Sequence, residues 1–316
     1  MAAVEHNNES IKVAYYYYKS GLTQDDIAKK MFMSRQRVNR ILKKCLETGI
    51  VKITIQDCER RDMELETRLE QALCINEVIV EETAPGDDPF ISVGNAAAAF
   101  LDRVLQNNAT IGFSRGRALS ALVDQLWATD RTGLTVTQLV GGLNDEESVL
   151  NSDSIVHRAS ETLAAKPCFM YAPIVLKNKE LRDAMMKESI YQKTYQSMKS
   201  CSVAVVGIGD MSDGSNIRQL KFMSNAELNF LHQNGAVGEV CTHYFDLNGK
   251  LIQSGLEDRV FAIDLDSLLR IPLRIGVGCG AEKVQSIIGA VRGHFINVLI
   301  TDQNTAEKLK KELLLK

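Results

Sequence analysis

The stretch RIGVGCGAEKVQSI, residues 274–287, carries glycines at three alternate positions and then a lysine. An apolar run that is typical of a strand leads into Gly278 and Gly280, and Lys283 follows three residues later. Lysine neutralises phosphate charge, and a turn between a strand and a helix favours anion binding. The pattern therefore indicates a phosphate-binding loop, which could belong to an enzyme, a nucleotide-binding protein or a sensor.

Other predicted strand ends carry groups of the same kind. Ser114 and Arg115 follow the strand ATIGF and open a helix, where backbone N–H groups favour an anion. Gly141 and Gly142 end QLVGG, and residues 207–210 end VGIGD. Glycine after a strand is also the normal way to turn, so a purely structural role stays open at each position. Four such ends in one α/β domain favour a ligand site at the carboxyl ends of the strands.

The glycine patterns argue against a nucleotide. The chain has no Gly-Lys-Ser/Thr step, so the Walker A spacing is absent from the sequence. GIGDMS and GVGCGA lack the full Gly-x-Gly-x-x-Gly fingerprint, and neither lies in the first strand–helix unit. We therefore expect a smaller phosphorylated ligand and no cofactor.

The basic residues cluster near the N-terminus. The net charge of −3 combines +4 over residues 1–60 with −7 over residues 61–316. Residues 29–52 hold eight Lys and Arg against Glu47 alone. Such clustering favours a polyanionic partner, although a solvated basic face is the simpler alternative.

This basic region contains two predicted helix starts. Thr23 is a predicted N-cap with Asp26 in the capping-box position, and Ser34 is a second predicted N-cap. The predicted hydrophobic staples are the pairs Leu22–Ile27 and Met33–Val38. The second helix places apolar residues at the spacing of one buried stripe, namely Val38, Ile41, Leu42 and Cys45. Two short helices joined by a tight turn predict a helix-turn-helix, and an ordinary helical hairpin is the alternative.

The exposed faces carry side chains that suit DNA. Arginine can pair with guanine, Asn and Gln can pair with adenine, and lysine further along suits phosphates. The predicted DNA-binding residues are Thr23, Gln24, Ser34, Arg35, Gln36, Arg37, Asn39, Arg40 and Lys43. The following IVKITI reads as a strand, which indicates a winged variant. Phe32 stands in the turn where glycine is common, and we expect its ring to pack against the tyrosine-rich first helix.

From residue 77 onward, strand-like and helix-like segments alternate. The predicted strands are EVIV, ATIGF, LTVTQLV, CFMYAPIV, SVAVVGI, EVCTHYF, LRIGVG and INVLIT. This alternation predicts an α/β fold with a mostly parallel, doubly wound sheet. We expect two domains, a helix-turn-helix domain over residues 1–57 and an α/β ligand-binding and oligomerisation domain over residues 58–316.

Composition limits the remaining possibilities. The seven cysteines are scattered and form no Cys-x-x-Cys pair, which favours reduced thiols in a cytoplasm over disulfides or zinc. The five histidines are widely spaced, so no metal site is predicted. No apolar run approaches the roughly 18 residues of a membrane span, and the N-terminus lacks a signal-peptide layout. We expect a cytoplasmic protein.

The whole chain from about Lys12 onward resembles the SorC-type (SorC/DeoR) sugar-binding transcriptional regulators of bacteria. The resemblance rests on residues 15–53, on AVVGIG, on NGAVGEVCTHYFDLNGKLI and on IPLRIGVGCGAEKVQSIIGAVRGHFINVLITDQNTA. It implies an effector domain similar to sugar-phosphate isomerases and deaminases, which senses a phosphorylated sugar. It also implies a homodimer or homotetramer on the operator of a carbohydrate operon.

The resemblance also implies the effector-binding residues. The phosphate-contacting turn falls on Ser114 and Arg115, and the double glycine falls on Gly141 and Gly142. A pocket arginine, an acidic residue for sugar hydroxyls and a ligand lysine fall on Arg218, Glu239 and Lys283. Val140 stands where bisphosphate-binding members have arginine, which argues against a bisphosphate, and Cys279 replaces a small residue.

These observations predict a DNA-binding regulator of a carbohydrate-utilisation operon that responds to a phosphorylated sugar and is not an enzyme. An alternative is a sugar-phosphate isomerase or deaminase with a DNA-binding appendage, with Glu239 and Asp246 as acid and base and His243 nearby. A nucleotide-responsive regulator is a third possibility.

Overall fold

The computed structural model describes residues 8–53, 62–84, 86–142, 150–212 and 223–315. The chain divides into two compact units, Met1–Glu59 and Arg60–Lys316.

The first unit contains α1 (Asn8–Tyr18), α2 (Gln24–Lys30) and α3 (Arg35–Glu47). Both predicted N-caps are confirmed. The Thr23 hydroxyl accepts from the Asp26 N–H at 3.2 Å, and the Asp26 carboxylate completes the capping box at the Thr23 N–H. The Ser34 hydroxyl accepts from the Arg37 N–H at 3.2 Å. These caps fix where the two helices begin, because each satisfies a backbone N–H that the helix itself leaves unpaired.

A small apolar core holds the three helices together, and it consists of Val13, Ile27, Ala28, Val38 and Leu42. The predicted staple residues Leu22 and Met33 pack against this core, as does Tyr16. Burying one stripe of each helix leaves the remaining faces free for a partner.

The turn between α2 and α3 contains Phe32 in the left-handed conformation, with φ of 54°. The expectation that its ring packs against α1 is wrong, because Phe32 is 97% exposed. The turn geometry points the side chain into solvent instead of toward the tyrosines. No strand is present over residues 50–53, and the rest of the predicted wing, from residue 54, lies outside the described residues.

The second unit alternates helices and strands. Its first half contains α4 (Met63–Leu73), β1 (Glu77–Glu81), α5 (Pro89–Val104), β2 (Thr110–Phe113), α6 (Arg117–Asp124), β3 (Thr135–Gln138), α7 (Ser152–Thr162), β4 (Lys166–Cys168), α8 (Lys179–Met185) and α9 (Ser189–Lys199). Its second half contains β5 (Val203–Gly207), β6 (Gly209–Asp210), α10 (Asn225–Gln233), β7 (Gly238–Val240), β8 (His243–Phe245), α11 (Leu265–Arg270), β9 (Leu273–Val277), α12 (Val284–Arg292), β10 (Val298–Asp302) and α13 (Gln303–Glu312).

Seven strands form a parallel sheet in the order β1-β10-β9-β5-β2-β3-β4. Along β5, Val203 and Val205 join one apolar cluster with α5, α6 and α7, whereas Ala204 and Val206 join another with α4, α12 and α13. Helices therefore cover both faces, and the predicted doubly wound fold is confirmed. A second, antiparallel sheet contains β6, β7 and β8.

Two strand predictions need correction. The predicted strand CFMYAPIV overlaps β4 only at Cys168, because β4 begins earlier, at Lys166. The Lys166 N–H donates to Leu134 O at 2.9 Å, which fixes β4 against β3. The predicted strand EVCTHYF is a hairpin of β7 and β8 with a turn at residues 241–242. Neither turn residue is a common turn former, so periodicity alone could not divide the segment.

The outer edge of β1 is covered by carboxylates from α4. Glu66 Oε1 accepts from the Val80 N–H at 2.8 Å, and Glu70 Oε1 accepts from the Val78 N–H at 3.0 Å. These residues are four apart on α4, so they lie on the same helix face. They satisfy N–H groups that a further strand would otherwise pair with.

Candidate functional site

A cavity of about 330 Å3 opens at the carboxyl ends of β2, β5 and β9. In the order of the sheet, β3 and β4 follow β2 toward one edge, whereas β9 and β10 follow β5 toward the other edge. The cavity thus lies at the switch point of the sheet, where doubly wound folds bind ligands. Its lining includes Phe90, Ser114, Arg115, Gly116, Arg117, Val140, Gly207, Asp210, Ser212, Glu239, Cys241, Thr242, Gly278, Glu282 and Lys283.

The turn after β2 forms one wall of the cavity and begins α6. The Ser114 hydroxyl accepts from the Gly207 N–H at 3.0 Å, so Ser114 ties the end of β2 to the end of β5. Gly116 is the N-cap of α6 and has φ of 122°, a conformation that strongly favours glycine. Among the described residues no side chain caps this helix, and its first two residues, Arg117 and Ala118, line the cavity.

A buried carboxylate faces the turn from the opposite wall. Glu239, on β7, is 8% exposed, and its Oε1 lies 3.7 Å from Arg115 Nη2. Its other oxygen accepts from the Thr242 N–H at 2.8 Å. The cavity thus holds a cation and an acceptor within reach of one small ligand.

A second ion pair also lines the cavity. Lys283 Nζ donates to Asp210 Oδ2 at 3.0 Å and to Ile208 O at 2.8 Å. Burial alone would raise the pKa of Asp210, but the Lys283 ammonium and hydrogen bonds from Ser212 hold it below its usual value. Asp210 is therefore a carboxylate at neutral pH and fixes the position of the lysine.

The mouth of the cavity carries a third cation. Arg117 Nη2 lies 2.7 Å from Asp88 Oδ2, and its guanidinium lies 4.2 Å from the centre of the Phe90 ring. Arg117 is half exposed, so it can turn toward an anion at the mouth with little loss of burial.

The glycines of the stretch 274–287 have different roles. Gly278 lines the cavity with Lys283. Gly276 is packed so closely that a Cβ would lie 2.7 Å from Ile296 Cδ1. The Gly280 N–H donates to Thr305 Oγ1 at 2.9 Å, so it supports the fold. Cys279 packs in the core, and burial raises the pKa of its thiol to about 12.

The structure brings together four of the predicted effector-binding residues, namely Ser114, Arg115, Glu239 and Lys283. Gly141 and Gly142 are not among the described residues that line this cavity. Their N–H groups donate to Phe261 O and Ala172 O, and Gly142 lines a neighbouring cavity beside Asp153. Arg218 lies outside the described residues.

Sequence reasoning missed several cavity residues. Asp210 stood in the strand end VGIGD but was not assigned a role, because nothing in the spacing links it to Lys283, 73 positions away. Arg117 lies two positions after Arg115 in the sequence and could have been included with it. Thr242 gave no signal, because the hairpin turn was not recognised.

The acid–base group of the enzyme alternative is not assembled in the described part of the chain. The Asp246 carboxylate accepts from the N–H groups of Asn248 and Lys250, both at 2.9 Å, in a turn outside the cavity lining. His243 Nε2 lies 2.9 Å from Ile263 O, and burial lowers the pKa of the ring. Glu239 alone of the three lines the cavity.

The described residues contain no group of His, Cys, Asp and Glu that could hold a metal ion. Over the same ranges, no helix combines the length and apolar character needed to cross a bilayer.

In the first unit, α3 exposes every residue that was assigned to DNA along it. These residues are Arg35, Gln36, Arg37, Asn39, Arg40 and Lys43. Arg37 Nη2 lies 2.9 Å from Glu9 Oε1 of α1, and Arg35 Nη1 lies 3.7 Å from Asp25 Oδ2. Thr23 is exposed and Gln24 is half-buried at the start of α2.

Comparison with known proteins agrees with both units. Residues 59–310 match the family model described as "Putative sugar-binding domain", and residues 13–62 match a model of the MarR family. The sorbitol operon regulator of Klebsiella pneumoniae is 29% identical over 307 residues, which cover 95% of this chain and 97% of the relative. The deoxyribonucleoside regulator of Bacillus subtilis strain 168 is 27% identical over 98% of this chain and 99% of the relative.

Solved structures show the same likeness. The crystal structure of the full-length sorbitol operon regulator SorC from Klebsiella pneumoniae matches with a TM-score of 0.75 at 29% identity, covering 97% of this chain and 98% of that one. A transcriptional regulator from Streptococcus pneumoniae TIGR4 matches with a TM-score of 0.74 at 30% identity, covering 79% of this chain and 97% of that one.

The fold, the helix-turn-helix unit and these matches define a sugar-binding transcriptional regulator. The chain belongs to the SorC/DeoR family of such regulators.

Proposed function

We propose that a phosphorylated sugar binds in the cavity at the switch point and controls the binding of this regulator to its operator. The observation that carries this proposal is one small cavity with the start of α6 and Arg115 on one wall, and the Glu239 carboxylate on the other. The first wall suits a phosphate, and the second suits sugar hydroxyls.

The phosphate would lie at the first turn of α6. Free N–H groups at a helix start and the helix dipole favour an anion there. Arg115 is nine-tenths buried beside this turn, and Arg117 is its first helical residue. Both side chains can donate two parallel hydrogen bonds to phosphate oxygens.

The sugar would lie toward Glu239, Asp210 and Lys283. Carboxylates accept from hydroxyl groups, and Lys283 donates to a ring or hydroxyl oxygen. The cavity lining balances Arg115, Arg117 and Lys283 against Asp210, Glu239 and Glu282. A site with so many carboxylates favours a monophosphate over a bisphosphate, and Val140 at the wall adds no charge for a second phosphate.

The names of the relatives indicate the class of genes that this chain would regulate. They are named for regulation of sorbitol, deoxyribonucleoside and erythritol pathways. We take this chain to regulate a carbohydrate-utilisation operon as a cytoplasmic homodimer or homotetramer, with α3 in the major groove of the operator. Since the relatives are named as regulators, we take the ligand as a signal and not as a substrate.

The test measures, by fluorescence anisotropy, how tightly this protein binds DNA from upstream of its own gene. The panel contains ribose 5-phosphate, 2-deoxyribose 5-phosphate, glucose 6-phosphate and sorbitol 6-phosphate, with each unphosphorylated sugar and inorganic phosphate as controls. We expect one phosphorylated sugar to shift operator affinity and melting temperature, while its unphosphorylated form does not. A panel without any shift would contradict the proposal, and turnover of any member would favour the enzyme alternative.

A further inference from the structure

The hairpin that joins β7 to β8 has a two-residue turn in the wall of the cavity. Val240 pairs with His243, which leaves only Cys241 and Thr242 in the turn. Their φ values are 51° and 67°, so both residues are left-handed. This is the geometry of a type I′ turn, which ordinarily takes Asn-Gly. Both positions therefore depart from the residue types that the turn prefers.

Thr242 is the more unfavourable of the two residues. A β-branched side chain at positive φ is a genuine conformational outlier. Strained residues of this kind persist where their surroundings hold them in place, and they cluster at functional sites. Glu239 Oε2 supplies part of that support by accepting from the Thr242 N–H at 2.8 Å.

The Thr242 hydroxyl is the second unusual feature. Thr242 is 6% exposed, and its Oγ1 has no hydrogen-bond partner among the described residues. A buried hydroxyl without a partner costs free energy, and most such groups in proteins have one. The Tyr244 hydroxyl also lacks a partner over the same ranges, but Tyr244 packs with Met211, Leu231 and Leu256. Thr242 differs because it lines the cavity.

We propose that Thr242 determines ligand specificity, and that its hydroxyl hydrogen-bonds to an oxygen of the bound sugar phosphate beside Glu239. The strained turn is retained because this position needs a hydroxyl group. The inference rests on the proposed function, since it takes the ligand to be a sugar phosphate.

The chemistry of the two neighbours is complementary. The Glu239 carboxylate only accepts, whereas a threonine hydroxyl both donates and accepts. Together they recognise a carbon chain that carries hydroxyl groups on adjacent carbons. A deoxy analogue leaves one of them without a partner, which is how polar sites reject ligands that lack an oxygen.

The test compares three substitutions at one position. Thr242→Val removes the hydroxyl and keeps the shape, Thr242→Ser keeps the hydroxyl, and Thr242→Gly removes both the hydroxyl and the strain. Calorimetry measures the affinity of each for the panel member that the wild type binds most tightly, and for inorganic phosphate. Thermal unfolding measures the stability of each protein without ligand.

We expect Thr242→Val to weaken sugar-phosphate binding roughly tenfold, the size of one hydrogen bond. Thr242→Ser should stay close to wild type. Thr242→Gly should unfold at a higher temperature than wild type and yet bind as weakly as the valine variant, which a purely structural role would not produce. Inorganic phosphate should bind all four proteins equally, because it occupies the α6 end of the cavity.

Wild-type affinity in both Thr242→Val and Thr242→Gly would overturn this inference and leave the proposed function intact. A parallel loss of inorganic phosphate and sugar phosphate would also overturn it, because it would indicate general damage to the cavity. A wild-type protein that binds no panel member would overturn both.

Discussion

Lys283 and Asp210 form an ion pair across the cavity, with 3.0 Å between Nζ and Oδ2. The side chains are 16% and 8% exposed, so water screens the pair only weakly. Removing one partner of a buried pair leaves the other charge uncompensated. We expect Asp210→Asn to lower the free energy of unfolding by about 3 kcal/mol at pH 7, as urea denaturation would measure.

The same variant has a predictable pH dependence. Because the folded state lowers the pKa of Asp210 from its usual 3.8, its contribution is present above about pH 4. The contribution disappears as the pH falls through the lower, folded-state pKa. The difference between wild type and Asp210→Asn should therefore shrink from pH 7 to pH 3. Asp130→Asn is the control, because Asp130 is 95% exposed, and a constant difference for Asp210→Asn would contradict the assignment.

A double substitution separates stability from ligand binding. Lys283→Met should destabilise the protein and weaken sugar-phosphate binding, because it removes a cation from the cavity. Adding Asp210→Asn should recover most of the stability, because the uncompensated charge is gone. Ligand affinity should not recover. Calorimetry and urea denaturation of the four proteins test this, and a joint recovery would argue against ligand contact by Lys283.

In the first unit, two exposed residues of α3 should affect DNA binding differently. If Arg40 contacts a base, Arg40→Ala costs about 1–3 kcal/mol on the operator and relaxes sequence preference. If Lys43 contacts a phosphate, Lys43→Ala weakens all DNA equally and reduces the salt slope by about 1. Anisotropy with operator and scrambled DNA at several salt concentrations distinguishes them. Both variants should bind the sugar phosphate normally, and equal effects on the two DNAs from Arg40→Ala would refute its assignment.

The exposed ring of Phe32 provides no burial to offset its left-handed backbone. The left-handed conformation costs roughly 1–2 kcal/mol for a non-glycine residue, and a glycine avoids this cost. About half of the gain is lost again, because glycine gives the unfolded chain more conformational entropy. We therefore expect Phe32→Gly to stabilise the first unit by about 0.5–1 kcal/mol, measured by hydrogen exchange of α2 and α3 amides. Phe32→Ala keeps the strain and serves as control. An equal gain from alanine would show that the ring, and not the backbone, is responsible.

The carboxylate of Glu66 makes a further stability prediction. Glu66→Leu leaves the Val80 N–H in a buried position without its acceptor, which should cost about 1–3 kcal/mol in urea denaturation. Glu64→Leu, on the exposed face of the same helix, should have a much smaller effect. A similar loss from both substitutions would mean that helix propensity, and not the strand contact, dominates.

Local rules predicted much of this fold from the sequence. The caps at Thr23 and Ser34 depend only on neighbouring residues, and the buried strands β1, β2, β5, β9 and β10 are short apolar runs between turns. Both kinds of signal are contained within about ten residues, so they can be recognised in the sequence without knowledge of the tertiary structure.

Relationships across the chain were harder to predict. The pairing of Asp210 with Lys283 depends on β5, which leads toward Asp210, lying beside β9, which leads toward Lys283, and no local pattern specifies these neighbours. The Cys241–Thr242 turn breaks the usual turn chemistry, and the ring of Phe32 is exposed where apolar residues are expected to be buried. These misses share one cause, because in each case tertiary context overrides a local preference.

The two edges of the parallel sheet have a consequence for how copies of this chain can associate. At β1 the outward N–H groups are already paired with Glu66 and Glu70. At β4 the Lys166 N–H points inward to β3, so the alternate position that faces outward is Pro167, which has no N–H. Neither edge offers a ready template for an added strand, which protects the chain against edge-to-edge aggregation. We therefore expect copies of this chain to associate on DNA through side-chain surfaces, and we expect no oligomer to extend the sheet by an added strand.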